Sequence, residues 1–138
     1  MSRASVMTAG RAVRQALVAH AQASRPRECC GLLVGAKGVL HFIVPTRNVA
    51  RGRSRYRVDP RAHLSVQRTL RGFIPSLEVV GAYHSHPRGA AWPSVRDVAQ
   101  ANDPAWVHLI VGLAGGRARI GAFRIAHGRV ERLRIRWR

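Results

Sequence analysis

The stretch GAYHSHPRGAAWPSVRDVAQ, residues 81–100, sets two histidines two positions apart, a proline directly behind them, and then Ser94 and Asp97. The apolar run before it, SLEVVGAY, predicts a strand from about Leu77 to Tyr83 that gives way to a loop. Residues i and i+2 of an extended chain point to the same side, so His84 and His86 face one point. PSVRDVAQAN predicts a helix of about ten residues, with Asp97 in its first turn beside the loop that carries the histidines. Zinc takes nitrogen and oxygen ligands in a tetrahedron, and catalytic zinc keeps one position open. Two histidines and Asp97 supply three ligands of that kind. The same residues have a plainer reading: Ser94 and Asp97 are spaced as a capping box, and aspartate in a first helical turn needs no metal.

Working outward, 138 residues fit one domain, residues 1–138, and 46% hydrophobic residues suffice for one core. No apolar run of about 18 residues predicts a membrane span, and MSRASVMTAGRAVRQALVAHAQAS lacks the apolar core of a signal peptide. The cytoplasm is the expected location. Cys29 and Cys30 are adjacent, which does not make a disulfide framework, and both are read as reduced thiols. The net charge of +18 comes from 24 basic residues, of which only Lys37 is lysine, against 6 acidic ones. Such a field attracts polyanions and acidic proteins. It leaves open, as an alternative, a basic nucleic-acid-binding domain, although no helix-turn-helix, zinc-finger or aromatic RNA-binding pattern accompanies it.

The other elements follow from pattern. Ala12, Val13, Leu17, Val18 and Ala21 have helical spacing over residues 8–24, with Thr8 as N-cap and Pro26 beyond the end. ECCGLLVGAKGVLHFIVPTRNVA reads as two strands, near 29–35 and 38–45, joined by a tight turn at Gly35–Gly38. RGRSRYRVD reads as an exposed basic loop. Asp59 and Pro60 start a helix running to about Arg71, with Leu64, Val66 or Gln67, and Leu70 buried. AWVHLIVGLA reads as a strand buried on both faces, and Pro104 lies past the helix before it. GRARIGAFRIA and RVERLRIRWR alternate. In the last, Leu133, Ile135 and Trp137 share one face and Arg132, Arg134, Arg136 and Arg138 the other, a charged row suited to protecting a sheet edge. His108, inside the apolar strand, is read as a core histidine with its hydrogen bonds satisfied. The predicted order is helix, two strands, helix, strand, helix, three strands: an α/β class with a mixed sheet.

HSHPRGAAWPSVRD resembles the signature of the JAB1/MPN/Mov34 (JAMM) metalloprotease family, in its compact bacterial single-domain form: an upstream glutamate, then H-x-H-P-x6-S-x2-D. His84, His86, Pro87, Ser94 and Asp97 fit without a gap, and Glu28 in PRECCGLLVG stands as the glutamate. VPTRNVA…RYRVDP and HLIVGL resemble further segments of bacterial members. The resemblance covers roughly residues 10–125. It implies a cytidine-deaminase-like mixed sheet flanked by α-helices. It also implies one Zn²⁺ held by His84, His86 and Asp97, with Glu28 as general base towards a water and proton donor to the leaving amine. Ser94 would donate a hydrogen bond to the developing oxyanion. The zinc-deaminase pattern needs P-C-x-x-C, and here Pro93 is followed by Ser94.

The implied activity is zinc-dependent hydrolysis of the peptide or isopeptide bond after the C-terminal glycine of a ubiquitin-like protein or sulfur carrier. The carrier's Gly-Gly tail would add as a strand beside the metal. Trp92, in the site loop, is a candidate for lining the channel. Arg55 and Arg57 are candidates for substrate contact and, with Arg47, Arg51 and Arg53, for steering an acidic carrier. A catalytically inactive scaffold of the same fold is the remaining alternative. The spacing leaves the oligomeric state open, a dimer included.

Overall fold

The computed structural model describes residues 5–52 and 55–138. The elements run β1 (Val6–Ala9), α1 (Arg11–Ser24), β2 (Cys30–Ala36), β3 (Val39–Thr46), α2 (Pro60–Phe73), β4 (Glu78–His86), α3 (Val95–Gln100), β5 (Val107–Gly112), β6 (Arg119–Ala126) and β7 (Arg129–Trp137). The sheet order is β1-β3-β2-β4-β5-β6-β7, and it closes on itself because β1 pairs with both β3 and β7. β1 runs parallel to both neighbours and β4 parallel to β5, while the remaining pairs are antiparallel. The sheet is therefore mixed, as expected.

Three readings of the sequence are corrected. Thr8 is not a helix cap. It lies in β1, a strand not foreseen, and the N-cap of α1 is Gly10, with no side-chain cap bond. Four residues are too few to show a period, and β1 draws its hydrogen bonds from strands distant in sequence. β7 is consequently not a sheet edge, since Val6–Ala9 pair along Arg134–Trp137. Its arginine row is exposed, and on the opposite face Leu133 is the fully buried residue. Leu64 is 47% exposed, and Leu70 is the buried residue of α2. Arg53 lies outside the described residues.

Other readings hold. The β2–β3 turn passes through Lys37 and Gly38, both at positive φ. Asp59 caps α2, accepting from the Arg61 N–H at 2.9 Å, with Pro60 in the first turn. Every residue of β5 is buried, as expected of a strand covered on both faces. Val13, Leu17 and Ala21 of α1 pack on Leu33, Leu40, Tyr83 and Leu109. Gly31 sits beneath the Tyr83 ring, where any Cβ would collide with it, and the Tyr83 hydroxyl lies 2.7 Å from His20 Nδ1. Among the described residues no helix is long and apolar enough to cross a membrane.

Candidate metal centre

The site is built where β4 leaves the sheet. β4 continues through His86 instead of ending near Tyr83, because β2 accompanies it to His84 and β5 as far as His86. His84 pairs with Cys30 of β2 and Ile110 of β5, and His86 with Gly112. The alternation turns His84 and His86 to one side and Ser85 to the other. There the Ser85 hydroxyl accepts from the Cys29 N–H at 2.9 Å, and the Ser85 N–H donates to the Cys29 carbonyl at 3.2 Å. This double clasp fixes the residue before Cys29, so Glu28 stands beside the histidines, buried at 8% exposure.

α3 brings the fourth group. It is six residues long rather than ten and opens with a complete capping box. Ser94 Oγ accepts from the Asp97 N–H at 3.1 Å, and Asp97 Oδ2 accepts from the Ser94 N–H at 2.9 Å. The same Oδ2 lies 3.1 Å from His84 Nε2 and 3.2 Å from His86 Nε2, and the two nitrogens are 3.1 Å apart. Cap and histidine cluster therefore share one oxygen.

Three electron-pair donors at such distances are the test of a metal. Ligands about 2.0–2.1 Å from a tetrahedral zinc are separated by about 3.3 Å, close to each edge of this triangle. Ring protons do not satisfy it, because an N–H directed at Oδ2 cannot also serve the facing nitrogen. The tautomer of His86 agrees: its Nδ1 is 2.9 Å from the Ala90 carbonyl, which only accepts, so Nδ1 carries the proton and Nε2 presents a lone pair. Glu28, His84 and His86 form a second set whose donor atoms lie within 4.8 Å of one another. The edges between His84 Nε2, His86 Nε2 and Asp97 Oδ2 are 3.1–3.2 Å, whereas the set with Glu28 is bounded only by 4.8 Å.

The electrostatics follow the burial. Desolvation raises the Glu28 carboxyl to about 7, with His86 and Arg96 opposing and Asp97 reinforcing the rise. Burial would also raise Asp97, but the His84 and His86 imidazoles that face it outweigh the burial and hold the carboxylate far below its usual range. Burial lowers His84. It acts in the same direction on His86, where the bonds to Asp97 and the Ala90 carbonyl reverse the outcome and raise it.

These groups open into a cleft of about 400 Å³ lined by Glu28, Arg55, Tyr56, His86, Arg88, Ser94, Arg96 and Asp97, among others. Of the residues singled out from sequence, Glu28, His84, His86, Ser94, Asp97 and Arg55 come together here. Arg57 lines a different hollow with Val58, Pro60 and Trp106. Trp92 also stands outside the cleft, edge-on to Phe123 at 5.0 Å and beside Arg14, Arg119 and Trp137. Tyr56 was missed. It stacks on His84 with centroids 3.9 Å apart and 11° between planes. The loop that carries it is pinned by Asn48, whose Nδ2 donates to the Glu28 and Arg55 carbonyls and whose Oδ1 accepts from the Ala50 and Arg57 N–H groups. Its one signal in the sequence was an aromatic residue alone in a polar, basic loop.

A mixed sheet that sets two histidines at a strand end, an aspartate in the first turn of the next helix and a buried glutamate close to the histidines assembles a donor set that could hold a metal ion. The family model for prokaryotic homologs of the JAB domain matches residues 10–125. The CysO-cysteine peptidase of Mycobacterium tuberculosis is 33% identical over 118 residues, 83% of this chain and 80% of that protein. The desampylase of Haloferax volcanii is 32% identical over 104 residues, 70% of this chain and 73% of that protein. The solution structure of DSY2949 from Desulfitobacterium hafniense superposes with a TM-score of 0.86 at 27% identity, covering 96% of this chain and 92% of that one. The chain belongs to the prokaryotic JAB-domain family, with its JAB/MPN fold and the JAMM type of hydrolase chemistry.

Proposed function

We propose that the chain is a zinc-dependent peptidase that hydrolyses the bond after the C-terminal glycine of a ubiquitin-like protein or sulfur carrier. The observation that carries this reading is the triangle of His84 Nε2, His86 Nε2 and Asp97 Oδ2, with buried Glu28 placing its carboxylate within 4.8 Å of both histidine donors. The names of the two relatives, a CysO-cysteine peptidase and a desampylase, support the substrate class. His84, His86 and Asp97 would hold the zinc, which when bound supplies a Lewis acid that acidifies water and polarises a carbonyl.

The other roles belong to the chain's own groups. Glu28, raised to about 7, accepts a proton from the attacking water near neutral pH. The water oxygen joins the glycine carbonyl carbon, the C–N bond breaks, and Glu28 returns the proton to the leaving nitrogen. Ser94 Oγ accepts from the Asp97 N–H, so its own hydrogen is directed elsewhere, and it donates to the oxyanion. Tyr56 holds the ring plane of His84, and the Ala90 carbonyl holds that of His86. β1 covers β3 only at Val39 and Leu40, so the rest of β3 has no strand partner on that side among the described residues. The two free cysteines fit a single catalytic domain working in the cytoplasm.

The test is zinc content together with cleavage of a ubiquitin-like protein extended beyond its Gly-Gly terminus. Glu28→Ala is expected to keep stoichiometric zinc and lose turnover by at least about 10³-fold, whereas His86→Ala loses both. Wild-type protein without zinc after metal-replete expression would refute the reading.

A further inference from the structure

Both proton transfers turn on Glu28, yet among the described residues no hydrogen bond or ion pair holds its carboxylate. Where that carboxylate points is therefore set by the main chain that carries it. One side of this main chain is clasped by Ser85 through Cys29. The other anchor is Asn48, just past the end of β3. Its Nδ2 donates to the Glu28 and Arg55 carbonyls, both at 2.9 Å, and its Oδ1 accepts from the Ala50 and Arg57 N–H groups, both at 3.0 Å. A carboxamide has two N–H donors and two acceptor lone pairs, so this side chain is saturated. The Ala50 bond is that of an ordinary Asx turn. The other three reach across to two separate segments, and a turn has no need of them.

We propose that Asn48 is a positioning residue for the hydrolysis: it ties the main chain of Glu28 to the segment that carries Tyr56, and so fixes the base relative to the ring of His84. This rests on the hydrolytic reading above. Arg55 and Arg57, the two residues bonded on the far side, flank Tyr56, and the Tyr56 ring stacks on His84. Asn48 does not itself line the cleft, so it acts through these neighbours and not on the substrate. Aspartate has the same shape but no N–H. It would keep the bonds from Ala50 and Arg57 and turn an oxygen towards the two carbonyls that now receive a proton donor. Glu28 would then lose one of its two main-chain anchors while every metal donor stays in place.

Asn48→Asp and Asn48→Ala are compared with wild type on a ubiquitin-like protein extended beyond its Gly-Gly terminus, with rates taken per folded, zinc-loaded molecule. The expected result is a fall in kcat of about 10- to 100-fold, the scale of a misplacement of about 1 Å, with KM changed by less than about threefold. Zinc content should match wild type, since none of the three donor atoms bonds to Asn48. A cycle with Glu28 separates positioning from mere support of the fold. In single turnovers with enzyme in excess, Asn48→Asp should cost less than about twofold in a Glu28→Ala background, because the base it places is gone. An equal factor in both backgrounds, or an unchanged kcat when Glu28 is present, would overturn the positioning role and leave the hydrolytic reading standing. Should Asn48→Asp fail to fold, Asn48→Ala carries the same cycle. Amide exchange judges the tie without turnover: in Asn48→Ala, residues 27–29 and 55–57 should exchange faster together, while residues 82–86 keep wild-type protection. Unchanged exchange at residues 27–29 refutes the tie. If wild type cleaves no such conjugate, the hydrolytic reading falls, and the exchange still decides whether Asn48 holds Glu28.

Discussion

The corner where β4 meets α3 and the helix α2 both carry many polar side chains, but they are held in opposite ways. At the corner single atoms serve twice. Asp97 Oδ2 closes the helix cap and faces both histidines, and Ser85 clasps Cys29 through its side chain and its backbone. α2 is fixed by its Asp59 cap and one buried residue, Leu70, while Leu64 and Phe73 stand 47% and 84% exposed. A change at the corner therefore strikes fold and chemistry together, whereas most changes on α2 strike neither. The difference is one of constraint and not of polarity.

The sharpest way to break the corner without touching a donor is Gly112. A Cβ there would collide with the backbone of Ala90 and Ala91, 2.6 Å from the Ala90 carbonyl carbon. That carbonyl orients His86. Gly112→Ala is expected to weaken zinc binding by about 10- to 100-fold, the usual loss when a ligand's orienting partner is displaced. It should also cost about 1–3 kcal/mol of stability through overpacking. Competition with a chromophoric chelator reads the first, and thermal unfolding reads the second. Unchanged zinc affinity would mean that the Ala90 carbonyl does not hold the ring.

The corner was legible because its chemistry is local: His84, His86, Ser94 and Asp97 lie within fourteen residues, and strand and helix periods already set their sides. Glu28 lies 56 residues from His84 and entered only through the resemblance of PRECCGLLVG to a known segment. The Cys30–His84 register that makes it a neighbour has no trace in either stretch alone. Tyr56 and the closure by β1 were hidden for the same reason. Stacking on His84 and pairing with β3 and β7 are tertiary events that composition does not encode. Leu64 misled because helical spacing marks an apolar stripe without saying how much of it a neighbour covers. Trp92 misled because nearness in sequence to the histidines was taken for nearness to their cleft.

On α2 the same contrast is tested within one helix. Leu70→Ala should cost about 2–4 kcal/mol, because a buried leucine leaves both lost contacts and a cavity. Leu64→Ala should stay within about 0.5 kcal/mol, as exposed substitutions do. Zinc content should be unchanged in both if α2 is independent of the corner. A loss of zinc in Leu70→Ala protein that remains folded would show that α2 supports the site, and would remove the contrast.

The smallest effect concerns His108, which lies between the two regions on β5. It is buried, yet its Nε2 has no partner among the described residues, so it is not the satisfied core histidine that the sequence suggested. Burial lowers it to about 4, the nearby His84 adds to the fall, and Asp97 and Asp103 oppose it. The sign follows from proton counting. Below about pH 6.5 the unfolded chain protonates this side chain and the folded chain does not, so its contribution is fully present above that pH and is lost as pH falls towards about 4. Between pH 7.5 and 5.5 the loss amounts to about 1 kcal/mol. Denaturant unfolding of wild type and His108→Leu, both stripped of metal, should therefore show a stability difference that shifts by that amount in favour of the variant as the pH is lowered. Parallel pH profiles for the two proteins would mean that His108 finds a partner on protonation, and that the buried strand between the regions is less dry than its packing implies.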